Sequence, residues 1–558
     1  MANYNVGIDF GTSLTKICVN KMDNNGGYIF YKFPKTNSYL LPSTICLKED
    51  GKCTYGEKDG NLISYFKMAA LFDEEFSNDI QIAKIPKDNI VNYSQIGNNN
   101  INQDSLNEFP FICCIMYLCY CILDVKKEAN NLVTNKEIEN KKVKKEGSQW
   151  TVFLKEIFNK NKEKIIDEND SLSIQETKDE QNANNFIFTI GVPTEYKFER
   201  QIKRCRKQNI ILFLAKKLAD IFVNQNDYLN TTVSEIRKKI DSLFTEIIKT
   251  ENDEILEKLF EAEGTFLIAE TTAGIFPWIN SLQLRLSGIM NETDENIRDN
   301  NYNIFRKEIR GNYCSMDIGA GTTDVSFFNI LPCENGKFYL IYYSSKSLAI
   351  ACNYLYKKYS KNYDTNTFQK YYEIDNILEI EYWLNAIRET KNDLQKVITK
   401  PDNKSVFGIV REMGNIRKNW NTKCDFTSSA KGCFVYGGGS RYEQFACGTI
   451  LLDNGGVMNA LADVDTNMIL RKLVENNEII NSLKIIGFDG KVNENQKNEL
   501  SQMIDLLIIS LGLAMQTFDN RIDVFFNPED IINDNVVVGE VPHPVNEGMY
   551  IPNIYEKR

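Results

Sequence analysis

The sequence predicts an α/β protein of two similar lobes, each a mixed sheet with flanking helices, and a cleft between them. Three observations carry that prediction. Asp9-Phe-Gly-Thr-Ser-Leu-Thr-Lys-Ile17 lies without a gap over Asp317-Ile-Gly-Ala-Gly-Thr-Thr-Asp-Val325, so one strand, turn and strand unit occurs in each half. Short apolar strands alternate with long stretches of helical periodicity. At 558 residues the chain exceeds one ordinary core and should hold roughly two to four domains or lobes.

Taken in order, the first 60 residues read as short strands between turns: "NVGIDFG", "KICVN", "GGYIFYKF", "STICLK" and "KCTYG". Residues 61–108 are polar and asparagine-rich, fitting a small subdomain or long surface loops. The uncharged run "FPFICCIMYLCYCIL" from Phe109 to Leu123 is shorter than the roughly 20 residues of a membrane span, and reads as a buried helix. Residues 124–185 are strongly charged and read as a solvated helical insertion, with a partner-docking arm as the other reading. "FIFTIGVPTEY" is a buried strand stopped at Pro193, and helical spacing then runs to about Leu259. "GTFLIAETTAGIFPWI" is a strand running into a helix after Glu270. The polar break "NETDENIRDNN" sets the main boundary near Asn291 to Asn303, giving a first lobe of 1–290 and a second of 304–520. Within the second, 347–425 read as mainly helical and "CFVYGGGSRYEQF" as a strand entering a glycine-rich turn. "QMIDLLIISLGLAMQTF" is an apolar helix, and 521–558 an irregular tail.

Composition narrows the function. With 65 Lys and Arg against 76 Asp and Glu, the net charge of -11 disfavours a general nucleic-acid binder. The 14 cysteines include no CxxC pair, which speaks against a zinc site and for a reducing, cytoplasmic setting. No secretory pattern marks the N-terminus, and no membrane association is expected. His543 is the single histidine, so acid and base work must rest on carboxylates, lysines or metal-bound water.

By itself the first turn reads as a plain hairpin whose Asp9 interrupts an apolar strand at a cost. Its repeat at Asp317 changes the reading. Glycines in each turn let backbone N–H groups approach phosphate oxygens, and each entering Asp can hold magnesium through its water shell. Two facing turns would clamp a polyphosphate. Neither turn is a P-loop, since GxxxxGK[ST] is absent and both return as strands, and no GxGxxG dinucleotide signature accompanies them.

These residues resemble the ATPase superfamily that contains actin, sugar kinases and the 70-kDa heat-shock chaperones, and the chaperone branch most. "GIDFGTSLTK" and "DIGAGTTDVS" resemble its two phosphate loops, "FTIGVPTEY" its lobe-connecting strand, "AETTAGI" its first connecting helix and "VYGGGSRY" its adenosine loop. "DLLIISLGLAMQ" resembles the helix that follows. The likeness spans roughly residues 1–520 and implies a duplicated, ribonuclease H-like actin-type fold that binds ATP and Mg2+. It implies that Asp9 and Asp317 orient magnesium through water. Gly11, Thr12, Ser13 and Lys16, with Gly319, Ala320, Gly321, Thr322 and Thr323, would meet the phosphates. Glu270 would stand near the attacking water, supported by Asp324. Gly437, Gly438, Gly439, Ser440 and Arg441 would pack against adenosine, with Lys391 a further contact.

The family's catalytic lysine stands four residues after a glycine, where this chain has Gly60, with Lys58 two residues early as its substitute. The usual glycine pair near "SSKSLAIACNYL" is absent. About 40 residues follow Phe518 in this sequence, so the chaperones' peptide-binding domain is not expected within it. The expectation is an ATP/ADP-driven switch that hydrolyses ATP and acts on a protein partner. The alternatives are an actin-like protomer that self-assembles and a small-molecule kinase.

Overall fold

The computed structural model describes residues 3–23, 26–58, 60–71, 103–139, 184–193, 198–248, 253–309, 311–332, 338–348, 432–441, 469–472, 477–493, 495–515 and 523–525. Almost all of the predicted helical region 347–425, most of the charged insertion 124–185, Lys391, and the tail except 523–525 lie outside the described residues.

The first half runs β1 (Asn3–Phe10), β2 (Leu14–Lys21), β3 (Gly27–Phe30), β4 (Leu41–Pro42), β5 (Ile45–Leu47), β6 (Cys53–Tyr55), β7 (Leu62–Ile63) and α1 (Phe66–Leu71). There follow α2 (Gln103–Glu139), β8 (Asn185–Val192), α3 (Phe198–Ile221), α4 (Gln225–Asn230), α5 (Val233–Ile248), α6 (Asp253–Ala262), β9 (Thr265–Ala269) and α7 (Glu270–Met290). The second half holds α8 (Glu295–Ile309), β10 (Gly311–Ile318), β11 (Thr323–Pro332), β12 (Phe338–Leu348), β13 (Gly432–Tyr436) and β14 (Ile469–Lys472). It closes with α9 (Asn477–Ser482), α10 (Asn495–Ser501), α11 (Ile504–Met515) and β15 (Asp523–Phe525).

Two of the sheets follow one plan. In the first, the order is β3-β2-β1-β8-β9, with β1, β2 and β3 antiparallel in succession and β8 and β9 parallel to β1. In the second, β12-β11-β10-β13-β14 repeats that order and those senses. The central strands sit between two neighbours and are covered on both faces, which is why β1 and β8 read as nearly continuous apolar runs. A small antiparallel sheet, β6-β5-β7, precedes α1.

The core of the first half forms on α2. Its segment Phe109–Asn130 is long and apolar enough to cross a membrane, and 89% of its most apolar window is buried inside the fold. Helices α1 and α3 pack on it, and Cys113, Cys114, Cys119 and Cys121 lie in this core as buried free thiols. Two findings differ from the sequence reading. The polar break at 291–303 is largely α8: Asp294 accepts the N–H groups of Asn296 (2.9 Å) and Ile297 (3.2 Å) at its start, and Tyr302, Phe305 and Ile309 form its buried face. The tail supplies β15, which pairs in parallel with Tyr339–Ile341 at the outer edge of the second sheet.

Helices α7 and α11 join the halves. They pack on each other, α7 touches β8, β9, β10 and β11, and α11 touches β1, β2, β8 and β13. Their crossing is close because Gly512 has no side chain: a Cβ there would overlap the Ala273 carbonyl. Asn5 on β1 donates its Nδ2 to the Ala514 carbonyl (2.9 Å), so this helix, read from sequence as part of the second lobe, also covers the first sheet.

Candidate functional site

The two predicted turns connect β1 to β2 and β10 to β11. Their registers correspond: Asp9 faces Lys16 across the first hairpin, and Asp317 faces Asp324 across the second. At equivalent positions the halves therefore carry opposite charges. Lys16 Nζ lies 2.9 Å from Asp9 Oδ2 and neutralises the first turn internally. The second turn opposes two carboxylates.

The first turn, Gly11 to Ser13, is braced from below. Ser43 donates its hydroxyl to the Gly11 carbonyl (2.8 Å) and its N–H to the Ser13 carbonyl (2.8 Å), a role that nothing in the sequence signalled. In the second turn, Gly319 N–H donates to the Thr322 carbonyl (2.9 Å). The turns meet: a Cβ on Gly321 would stand 2.7 Å from Thr12 Oγ1 and would overlap Met68 Sδ. Thr12 and Thr323 are buried, while Ser13, Ala320 and Thr322 are partly exposed.

Glu270 begins α7 directly after β9, and Gly191 on the neighbouring β8 leaves room for it: a Cβ there would fall 2.6 Å from Glu270 Cγ. Its Oε1 accepts from Lys67 Nζ at 2.7 Å, with both side chains almost fully buried. The carboxylates of Glu270, Asp317 and Asp324 offer oxygens within 4.8 Å of one another, an arrangement able to hold a metal ion. Asp324 is fully buried; the hydroxyls of Ser347, its register partner on β12, and Thr322 lie near its oxygens and favour its charge, without a hydrogen bond of good geometry among the described residues. The acids close enough to share one ion directly are Asp317, Glu270 and Asp324, while Asp9, which the sequence pairs with Asp317 through water, is engaged by Lys16.

Burial raises the affinity of these acids for protons, and their mutual repulsion adds to it. Glu270 is pushed up to about 7 by burial, with Asp324 and Asp9 adding and Lys67 opposing. Asp317 is driven well above the usual carboxylate range by burial and then by Glu270, Asp324 and Asp9. Burial also raises Asp324. Burial would lower the Lys67 ammonium, but Glu270, with Asp9 and Asp324 behind it, outweighs this and the net shift is upward.

Lys58, the substitute inferred from spacing, is exposed between β6 and β7. The chain continues through β7 into α1 before it brings a lysine, Lys67, to the acids. The glycine-rich turn follows β13: Gly437 takes φ +81, its N–H donates to the Asp505 carbonyl (2.9 Å), and a Cβ there would overlap Asp317 Oδ1. A short 3-10 helix, Gly438–Arg441, comes next. This turn therefore adjoins the acidic cluster at Asp317. Lys391 lies outside the described residues. Neither a scan against protein-family models nor a search of curated proteins finds a match for this chain.

Proposed function

We propose that the chain binds Mg-ATP between two actin-type lobes, as in the nucleotide-binding half of the 70-kDa heat-shock chaperones, and hydrolyses it as a switch read by a protein partner. The observation that carries this reading is the meeting of two register-matched turns over the Glu270, Asp317 and Asp324 carboxylates. The residues fit the ligands. Asp324 is a fully buried carboxylate whose near neighbours are the hydroxyls of Ser347 and Thr322 and the carboxylates of Asp317 and Glu270, a costly state that a cation relieves. Glycines at 321 and 437 stand where side chains would close the space around Asp317 and Thr12.

In this reading Asp317 and Asp324 would hold magnesium, directly or through its waters, with Asp9 behind them and Glu270 beside them. A magnesium ion held there would supply positive charge to the phosphate oxygens. The N–H groups of the two turns and Lys16 hold the phosphates, and Lys67 presents its ammonium beside Glu270. Water attacks the γ-phosphorus, the bond to the bridging oxygen of ADP breaks, and the water's proton passes to Glu270, the carboxylate at the start of α7. Helices α7 and α11, which touch both sheets, are the route by which the nucleotide state reaches a partner surface.

Phosphate release by the wild type, Asp317→Asn and Lys67→Met tests the proposal. Each variant should lose about 100-fold or more of the magnesium-dependent rate. Their stabilities should move oppositely, since Asp317→Asn removes a repelled acid and Lys67→Met strands Glu270 at a cost of about 3 kcal/mol. Wild-type protein that neither binds nor hydrolyses ATP, or variants at the wild-type rate, would overturn it.

A further inference from the structure

We infer that Tyr436 is a positioning residue that couples occupancy of the Gly437–Arg441 turn to the placement of Glu270. The inference rests on the reading of this cleft as an ATP site. Tyr436 is the last residue of β13, immediately before the left-handed Gly437, and it pairs in register with Asp317. Its ring is fully buried and lies in a slot cut into α7 at Gly274, where a Cβ would stand 2.6 Å from the tyrosine oxygen. Its hydroxyl donates to the Thr271 carbonyl at 3.1 Å. Thr271 directly follows Glu270, which accepts from Lys67. One side chain thus connects the glycine-rich turn, the first turn of α7 and the acid beside the attacking water.

Two features set this contact apart from packing. A phenylalanine would fill the slot equally well, and the Thr271 carbonyl already has a helical partner in the N–H four residues on, so the hydroxyl is not needed to satisfy it. The start of α7 also lacks the usual restraint: Ala269 at its N-cap makes no side-chain capping bond. The turn that carries Glu270 is therefore held by tertiary contacts, among them Tyr436 and Lys67, and a shift of β13 on binding the nucleoside is transmitted to it.

Tyr436→Phe keeps the ring and removes the hydrogen bond. The expected result is a kcat lowered about five- to ten-fold, the worth of one neutral hydrogen bond, with KM for ATP unchanged and thermal stability close to wild type. A second test needs no variant. Hydrogen exchange of the 265–276 segment in wild-type protein should change on adding ADP, which reaches the Gly437–Arg441 turn, and not on adding pyrophosphate, which occupies the phosphate turns alone. A variant with wild-type kcat, a parallel loss of kcat and stability, or equal exchange responses to ADP and pyrophosphate would overturn the inference while leaving ATP hydrolysis standing. Absence of any nucleotide binding would overturn both.

Discussion

Lys67 is a lone ammonium in the apolar helix "FKMAAL", and that isolation is its one mark in the sequence. A buried lysine must be paired, but its partner Glu270 is 203 positions away, a distance no local spacing rule spans. The acids were easier to read: Asp9 and Asp317 interrupt apolar strands at matching places, and the gapless overlay sets Lys16 over Asp324. What the overlay does not say is that each of these stands across its hairpin from the entering Asp, so that one turn is neutralised and the other is not. Away from the acidic cluster, Asp124 is another buried acid, accepting from Tyr31 Oη (2.8 Å) and Gln225 Nε2 (2.8 Å). Burial raises it above the usual carboxylate range, with those bonds, Lys127 and Lys35 pulling back in part. With the folded value raised, the folded chain keeps this proton after the unfolded chain has lost it. Its contribution to stability is therefore full below about pH 4 and is lost as pH rises through the folded value. Asp124→Asn should flatten that part of the slope in urea titrations across this range; a slope equal to wild type would contradict the assignment.

Elements with strong periodicity or a defined turn were legible. The β1–β2 and β10–β11 hairpins, β8 ending before Pro193 and the start of α7 at Glu270 all follow from local sequence. Helix α8 was not, because its three buried apolar residues are diluted by polar ones and its start depends on Asp294 accepting two N–H groups. Strand β15 was missed for a different reason: three residues have no pattern of their own, and pairing with β12 defines them. The crossing of α7 and α11 is the element contact most sensitive to a single change. Gly512→Ala puts a methyl group into the Ala273 carbonyl and must separate the helices. The expected cost is about 1–3 kcal/mol, read as a lower denaturation midpoint with an unchanged m-value, and weaker ATP binding should accompany it. Wild-type stability in this variant would show that the crossing has slack.

For the whole molecule, the two matching hairpins were readable from the repeat, whereas the sheets that α11 covers were not. A helix with all 12 residues buried carries no periodic face that says which sheet it serves. It serves both, and residues 477–493 also reach the first half, where Tyr28 exchanges backbone hydrogen bonds with Lys484 and Ile486, and Phe488 packs on Tyr4 and Tyr31. A fragment ending at residue 290 should therefore show no cooperative melt, and co-expression with 477–515 should restore one; a two-state transition in the short fragment would refute this. Asn5 and Ala514 are bonded across 509 positions. At synthesis rates of roughly 5–20 residues per second, β1 waits on the order of half a minute to more than a minute on the ribosome before the helix that covers it is made. The sheet face that α11 covers is exposed throughout that interval, so the nascent chain carries an aggregation-prone surface until almost all of it has been made.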